Sequence, residues 1–319
     1  MSLPKILQNS LALPVIGAPL FIVSNPDLVL AQCRSGIVGS FPALNARPKE
    51  LLEEWLLRLT TELAADRARD PAKKIAPFAV NQIVHHSNDR LGHDMDLCVK
   101  YQVPIIITSL REPTEVVAAA HSYGGLVFHD VISVRHAQKA IAAGVDGLIL
   151  VCAGAGGHAG TLSPFALVSE IRRFWSGTIA LSGAISRGEQ VLAALAMGAD
   201  LAYMGSRFIP TLEANAMQTY KQMIVDSNAV DILYSSYFTG VSGNYLRGSV
   251  TNMGLDPDAL PERDKTTMAF GSKMDTAKAW KEIWGCGQGI GTIDAIEPVA
   301  TVVARLQDEY RAARALLSV

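Results

Sequence analysis

His158 lies inside the run Ala153-Gly-Ala-Gly-Gly-His-Ala-Gly-Thr161, and this is where chemistry is expected first. Imidazole titrates near neutrality, so it can donate or accept a proton at physiological pH. The glycines around it let backbone approach a ligand closely and turn without steric cost. A histidine taken at random more often hydrogen-bonds in a core or steadies a loop. One framed by glycines at the end of a strand reads instead as a catalytic side chain. The run also fits a dinucleotide fingerprint, GxGxxG/A, as Gly154-Ala-Gly156-Gly-His-Ala159. The next strand, however, ends Leu181-Ser182-Gly183 and lacks the acid that would hold the ribose hydroxyls. The match is therefore attributed to glycine enrichment.

Two further strand ends carry small residues, Leu181-Ser-Gly-Ala184 and Tyr203-Met-Gly-Ser206. A helix follows each, so backbone N–H groups there can converge on an anion such as a phosphate. His129, beside Asp130, also ends a strand, and a core role suits it equally well. His85, His86 and His93 lie near Asp89, Asp94 and Asp96, but no HExxH or comparable ligand spacing is present. They read as a solvated loop and helix face, and no metal is expected. There is no G-x-S-x-G elbow and no P-loop. Without a strong protein nucleophile or a metal, the harder chemistry falls to a phosphate-bearing cofactor. Cys33, Cys98, Cys152 and Cys286 form no CxxC pair and read as small buried hydrophobes.

These residues need a frame that brings strand ends together. Short apolar runs without period-two alternation recur at 14–19, 37–42, 75–81, 104–110, 126–131, 147–153, 178–184 and 201–207. Strands buried on both faces, as in parallel sheets, read this way. Helical spacing separates them, at 48–67, 133–143 and 186–197, with a last helix near 211–226. Eight strand-then-helix units favour a (β/α)8 TIM barrel, an α/β fold, over an open doubly wound sheet. After residue 226 the rhythm breaks into a segment rich in Gly, Ser, Asn, Asp and Met. The division expected is a barrel over 1–226, completed by 285–319 with a closing amphipathic helix at 294–317. Residues 227–284 form an insertion or small subdomain on the active-site side. Its stretch Phe238-Thr-Gly-Val-Ser-Gly-Asn-Tyr-Leu-Arg-Gly248 suits a lid or subunit contact, although packing is the plainer reading of its aromatics.

The chain has 319 residues, 49% of them hydrophobic and 18% charged, with a formal net charge of −2. That supplies a large core, and the balance gives no basic surface for nucleic acid. No apolar run is long enough to cross a bilayer, and the N-terminus does not read as a signal peptide. A cytoplasmic protein with no membrane partner is expected, and a homodimer is left open.

The motifs together resemble the nitronate monooxygenase family, formerly called 2-nitropropane dioxygenases. The resemblance runs from Pro14-Val-Ile-Gly-Ala-Pro19, Gly36-Ile-Val-Gly39 and Ala79-Val-Asn81 to Ala155-Gly-Gly-His-Ala-Gly160. It continues through Ser182-Gly-Ala184, Ala194-Leu-Ala-Met-Gly-Ala-Asp200 and Met204-Gly-Ser-Arg-Phe208 to Trp284-Gly-Cys-Gly-Gln-Gly289. It implies bound FMN. Ala18, Pro19 and Leu20 would lie along the isoalloxazine ring, with Asn81 bonded to the ring or the ribityl chain. Gly156, Gly183, Gly205 and Ser206 would approach the ribityl phosphate or its surroundings, with Ser182, Tyr203 and Met204 beside them, and Gly157 and Ala184 would also touch the cofactor. His158 would face the flavin. Relatives often carry glutamine at Val151 and Tyr203, so contacts there would be backbone or altered. Some quinone-reducing relatives carry lysine at Asp130.

The activity so implied is FMN-dependent oxidation of alkyl nitronates by O2 to a carbonyl compound and nitrite. An NAD(P)H-dependent flavin reductase, acting on quinones or on enoyl-acyl carrier protein, is the alternative on the same fold. A non-catalytic flavin- or phosphate-binding protein is a third.

Overall fold

The computed structural model describes residues 3–238, 240–261 and 282–317. Eight parallel strands form one sheet: β1 (Val15–Gly17), β2 (Gly39–Pro42), β3 (Phe78–Val84), β4 (Ile105–Leu110), β5 (Leu126–Val131), β6 (Gly147–Val151), then β8 (Thr178–Ser182) and β9 (Leu201–Met204). Between β6 and β8 a two-residue strand, β7 (Gly157–His158), belongs to a different sheet. The large sheet runs in the order β1-β9-β8-β6-β5-β4-β3-β2. A parallel bridge between Ile16 and Val38 joins its two ends, so the sheet closes into a (β/α)8 barrel.

The missing period-two pattern has a direct cause. Ile105 and Ile107 pack inside the barrel with Phe128, Ile149 and Ala180. Ile106 between them faces outward with Val80, Val127 and Leu148, against the surrounding helices. Both faces are apolar, so each strand reads as a continuous run. Leu7, from the short helix Lys5–Gln8, joins the interior layer.

Helices follow the strands with shifted ends. The first long one spans Leu51–Arg69, and Val134–Ala142 is capped by the Ser133 hydroxyl, which accepts the N–H of His136. The helix expected from residue 211 begins only at Gln218. Tertiary partners take the intervening backbone: Thr211 bridges Glu297, and the Asn215 N–H donates to the Val23 carbonyl. The closing helix starts at Val299 rather than 294 and buries Val299, Val302, Val303 and Leu306. It packs on the helix Gly188–Ala196, whose first N–H donates to Glu309 at 2.7 Å. No helix among the described residues is long and apolar enough to cross a membrane.

Within 227–284, the described residues form β10 (Ile232–Ser235), β11 (Gly243–Leu246) and a helix, Arg247–Asn252. The three-stranded sheet runs β10-β11-β7, antiparallel throughout. Phe238, Tyr245, Val250 and Ile283 make a small apolar cluster behind it. Most of the stretch Phe238–Gly248 is thus packed strand and turn, while the methionine-containing segment near 271–275 lies outside the described residues.

Candidate active site

A cavity of about 450 Å³ opens at the C-terminal ends of the barrel strands, the face on which this architecture carries its chemistry. Ala18, Pro19, Leu20, Asn81, Val151, Gly157 and His158 line it. Gly156, Ser182, Tyr203, Gly205 and Ser206 line both this cavity and a narrow adjoining cleft. Gly183 and Ala184 line the cleft alone. Met204 lines neither. Alternation along β9 sends Tyr203 inward and buries the Met204 side chain with Leu13, Val15 and Phe208. Its carbonyl accepts the Ala18 N–H at 2.8 Å.

The cleft is built from backbone. Gly183 has a φ of 150°, and a Cβ there would lie 2.9 Å from the Ala153 carbonyl oxygen. Ala184 follows with a φ of 54°, a left-handed conformation that costs a non-glycine residue about 1 kcal/mol or more. Strain of this kind persists where surrounding structure imposes it, and here the strained turn lines the cleft. Opposite, the Gly287 N–H donates to Ser206 Oγ at 2.8 Å, and the Ser206 hydroxyl in turn meets the Cys286 sulfur.

His158 is held from the excursion. β7 pairs with β11 through Gly243 and Asn244. The Asn244 amide donates to the Ala155 carbonyl at 2.6 Å, and the Tyr234 hydroxyl to the Ala159 carbonyl at 3.0 Å. Burial away from water pushes the His158 imidazole down to about 4, so it is neutral at physiological pH. His129 is likewise lowered to about 4, by burial first and by His136 second, and its Nδ1 lies 2.8 Å from Thr108 Oγ1. It lines the same cavity.

Three strands contribute a polar row. Asn81 Nδ2 on β3 donates to Ser109 Oγ on β4 at 2.9 Å, and Ser109 Oγ donates to Asp130 Oδ2 on β5 at 2.6 Å. Burial raises the Asp130 carboxyl to about 7, with the Ser109 bond pulling the other way. The Tyr203 phenol is driven well above its usual range by burial, then by Asp130.

Sequence reasoning missed Ser109 and Tyr220. The only signal for Ser109 was a polar pair, Thr108-Ser109, closing an otherwise apolar strand. Tyr220 stacks on Trp284 at 4.9 Å and 15°, and both line the cavity. Trp284 had entered only through the family resemblance.

The histidine and aspartate group at 85–96 is otherwise engaged. His85 Nδ1 meets Ser87 Oγ at 2.8 Å, and His93 Nδ1 meets Asp94 at 2.9 Å. No group of three or more His, Cys, Asp or Glu among the described residues could hold a metal ion. All four cysteines are buried and unbridged, and burial pushes each thiol up to about 12.

Fold and cavity together define a (β/α)8-barrel enzyme with its ligand site at the strand C-termini. The nitronate monooxygenase family model matches residues 9–309, and the chain belongs to that family of oxidoreductases. It is 24% identical to a nitronate monooxygenase of Paraburkholderia phytofirmans, over 93% of this chain and 92% of that one. A further relative, from Mycobacterium tuberculosis, is 29% identical over 231 residues, which span only 61% of its length. Among solved structures, nitroalkane oxidase from Streptomyces ansochromogenes superposes with a TM-score of 0.77 at 22% identity, covering 98% of this chain and 100% of that one. FabK from Thermotoga maritima superposes with a TM-score of 0.76, also at 22% identity, over 98% and 96%. At such identities the two structures speak to the fold alone.

Proposed function

We propose that the protein uses bound FMN and molecular oxygen to oxidise alkyl nitronates to a carbonyl compound and nitrite. One observation carries this: a neutral, partly buried histidine faces a cavity that adjoins a backbone-lined cleft at the ends of the last two barrel strands. Support also comes from the family and from its Paraburkholderia member.

The residues suit FMN. The wide cavity is walled by Ala18, Pro19, Leu20, Val151 and Tyr203, apolar surface for a flat ring, with Asn81 at hand as a polar contact. The cleft offers Gly156, Ser182, Gly183, Ala184, Gly205 and Ser206 to a phosphate. Gly157 would face the ring side, and Met204 is left only a backbone role. Val151 and Tyr203 bring no side-chain amide to the ring. Bound there, FMN supplies a redox centre able to accept electrons from a substrate and pass them to oxygen.

His158 is a weak base in this setting, because its low pKa leaves little drive to pull a proton from carbon. A nitronate has already lost that proton. A neutral imidazole can still donate one N–H to an anionic nitro oxygen and so orient the carbon. The apolar walls keep water from the reacting atoms. The enzyme is assigned to the cytoplasm, which four unbridged cysteines suit.

The deciding assay gives purified protein propyl nitronate and NADH separately, in an oxygen electrode and then anaerobically. Oxygen uptake with nitrite release on nitronate is the expected result, lost in His158→Ala while FMN stays bound. Full turnover by that variant would remove His158 from the chemistry. Rapid anaerobic flavin bleaching by NADH without nitronate turnover would assign the reductase activity instead. Bound FMN inert to both would make this a flavin-binding protein.

A further inference from the structure

The polar row on β3, β4 and β5 has a fixed direction. Asn81 Nδ2 also reaches the Ile107 carbonyl at 3.3 Å, which can only accept, so this end of the amide is the donor. Ser109 therefore accepts from Asn81 and spends its single proton on Asp130 Oδ2. Asp130 Oδ1 is out of contact with bulk water and has no hydrogen-bond partner among the described residues. Burial and the Ser109 bond are what shift this carboxyl, with no cation among the described residues acting on it. A partly buried carboxylate with one oxygen shut off from water and one hydroxyl for company is costly, whereas a protonated one needs only an acceptor for its O–H.

The titratable groups around it do not relieve that cost. His129 shares its strand, Tyr203 feels its charge from β9 and the partly buried His158 lines the same cavity from β7; all three are neutral at physiological pH. His136 and Lys139, on the helix after β5, and Glu112, after β4, line the rim on exposed residues where solvent screens them.

We propose that Asp130 is held as a neutral carboxylic acid and donates its proton in a hydrogen bond to a carbonyl oxygen or imine nitrogen of the flavin ring. The identity of the acceptor rests on the FMN assignment above; the protonation of Asp130 does not. Burial raising the carboxyl to about 7 agrees with the geometry, and an acceptor bonded to the acid form raises it further. Apolar sites elsewhere keep a carboxylic acid neutral so that it can donate in the same way. Asp130 thus senses pH for the ring. Losing its proton places a negative charge beside the flavin and makes reduction less favourable.

The test compares wild type, Asp130→Asn and Asp130→Ala. Infrared spectra of the protein, with and without FMN, read the carboxylic C=O band. The absorbance and midpoint potential of bound FMN are followed from pH 5.5 to 9. At pH 6 the wild type should show a protonated-carboxyl band that Asp130→Asn lacks and that fades as pH rises. The wild-type flavin spectrum and potential should show an added transition near or above neutrality. Asp130→Asn, which still accepts from Ser109 and donates an N–H, should bind FMN within about twofold and lose that transition; Asp130→Ala should bind about tenfold more weakly. No protonated-carboxyl band at pH 6, or an unchanged transition in Asp130→Asn, overturns the proposal. Protein that binds no FMN overturns the cofactor assignment and the named acceptor, and the infrared band still decides the protonation state.

Discussion

The two walls of the cavity are made by different means. Asn81, Ser109, Asp130 and Ser182 lie on strands of a closed barrel, with an apolar layer inside it and another beneath its helices. His158 lies on a two-residue strand whose hold comes from β11, two side-chain hydrogen bonds and a small apolar cluster. Damage to the first wall should therefore appear as lost stability. Damage to the second should appear as lost turnover in a protein that still folds. Activity and stability can be separated by choosing which wall to alter.

The largest effect is expected in the barrel. Asp200, just before β9, accepts the Ile179 N–H at 2.9 Å and pairs with Arg172 at 2.5 Å. Asp200→Ala should cost about 3 kcal/mol of stability, read by denaturant melting, and leave turnover per folded molecule unchanged. Gly243→Val probes the other wall. A Cβ at Gly243 would lie 2.7 Å from the Gly157 carbonyl oxygen, so β11 must part from β7. Displacing His158 by about an ångström should lower kcat/KM about 100-fold, with little change in melting temperature. Equal losses of stability and rate in either variant would erase the distinction between the walls.

Between these lies the cleft. Gly183→Ala forces a side chain into a φ of 150° against the Ala153 carbonyl and should weaken FMN binding about tenfold, measured by fluorescence titration.

Acid affects both walls through the histidines. His129 and His158 are both neutral in the fold, with values lowered to about 4. The unfolded chain takes up protons below about 6.5 that the folded one refuses. The stability gained from keeping them neutral is complete above that value and is lost as pH falls toward 4. Asp130, raised to about 7, acts in the opposite sense over the same range. His129→Asn should therefore shrink the drop in melting temperature between pH 7 and 5 by a few degrees. The smallest effect is Asn244→Ala, which removes one buried bond to the Ala155 carbonyl and should cost about 1 kcal/mol, with turnover falling more than stability.

Much of the barrel was legible because its signals are local. The run at 126–131 coincides with β5, and seven of the eight runs contain a strand whole, while β3 runs on past 81 to Val84. Strand ends were read too long where glycine intervened. The run at 178–184 stops at Ser182, because Gly183 and Ala184 leave the extended region of backbone space. The start of the helix after β9 was misread because β-bridging to Glu297, a remote contact, overrides local helix preference there.

What the sequence determined by itself was the barrel and the glycine-rich frame of His158, since burial on both strand faces and left-handed turns leave marks in neighbouring residues. It could not say what supports that frame. The pairing of Gly157 and His158 with Gly243 and Asn244 joins residues far apart in the chain. The Asn81–Ser109–Asp130 row likewise exists only once three strands are set in register. That Tyr203 faces the cavity while Met204 packs behind it followed from the same cause. Which side chains meet at the mouth of a barrel depends on strand register and closure, and those are properties of the whole sheet.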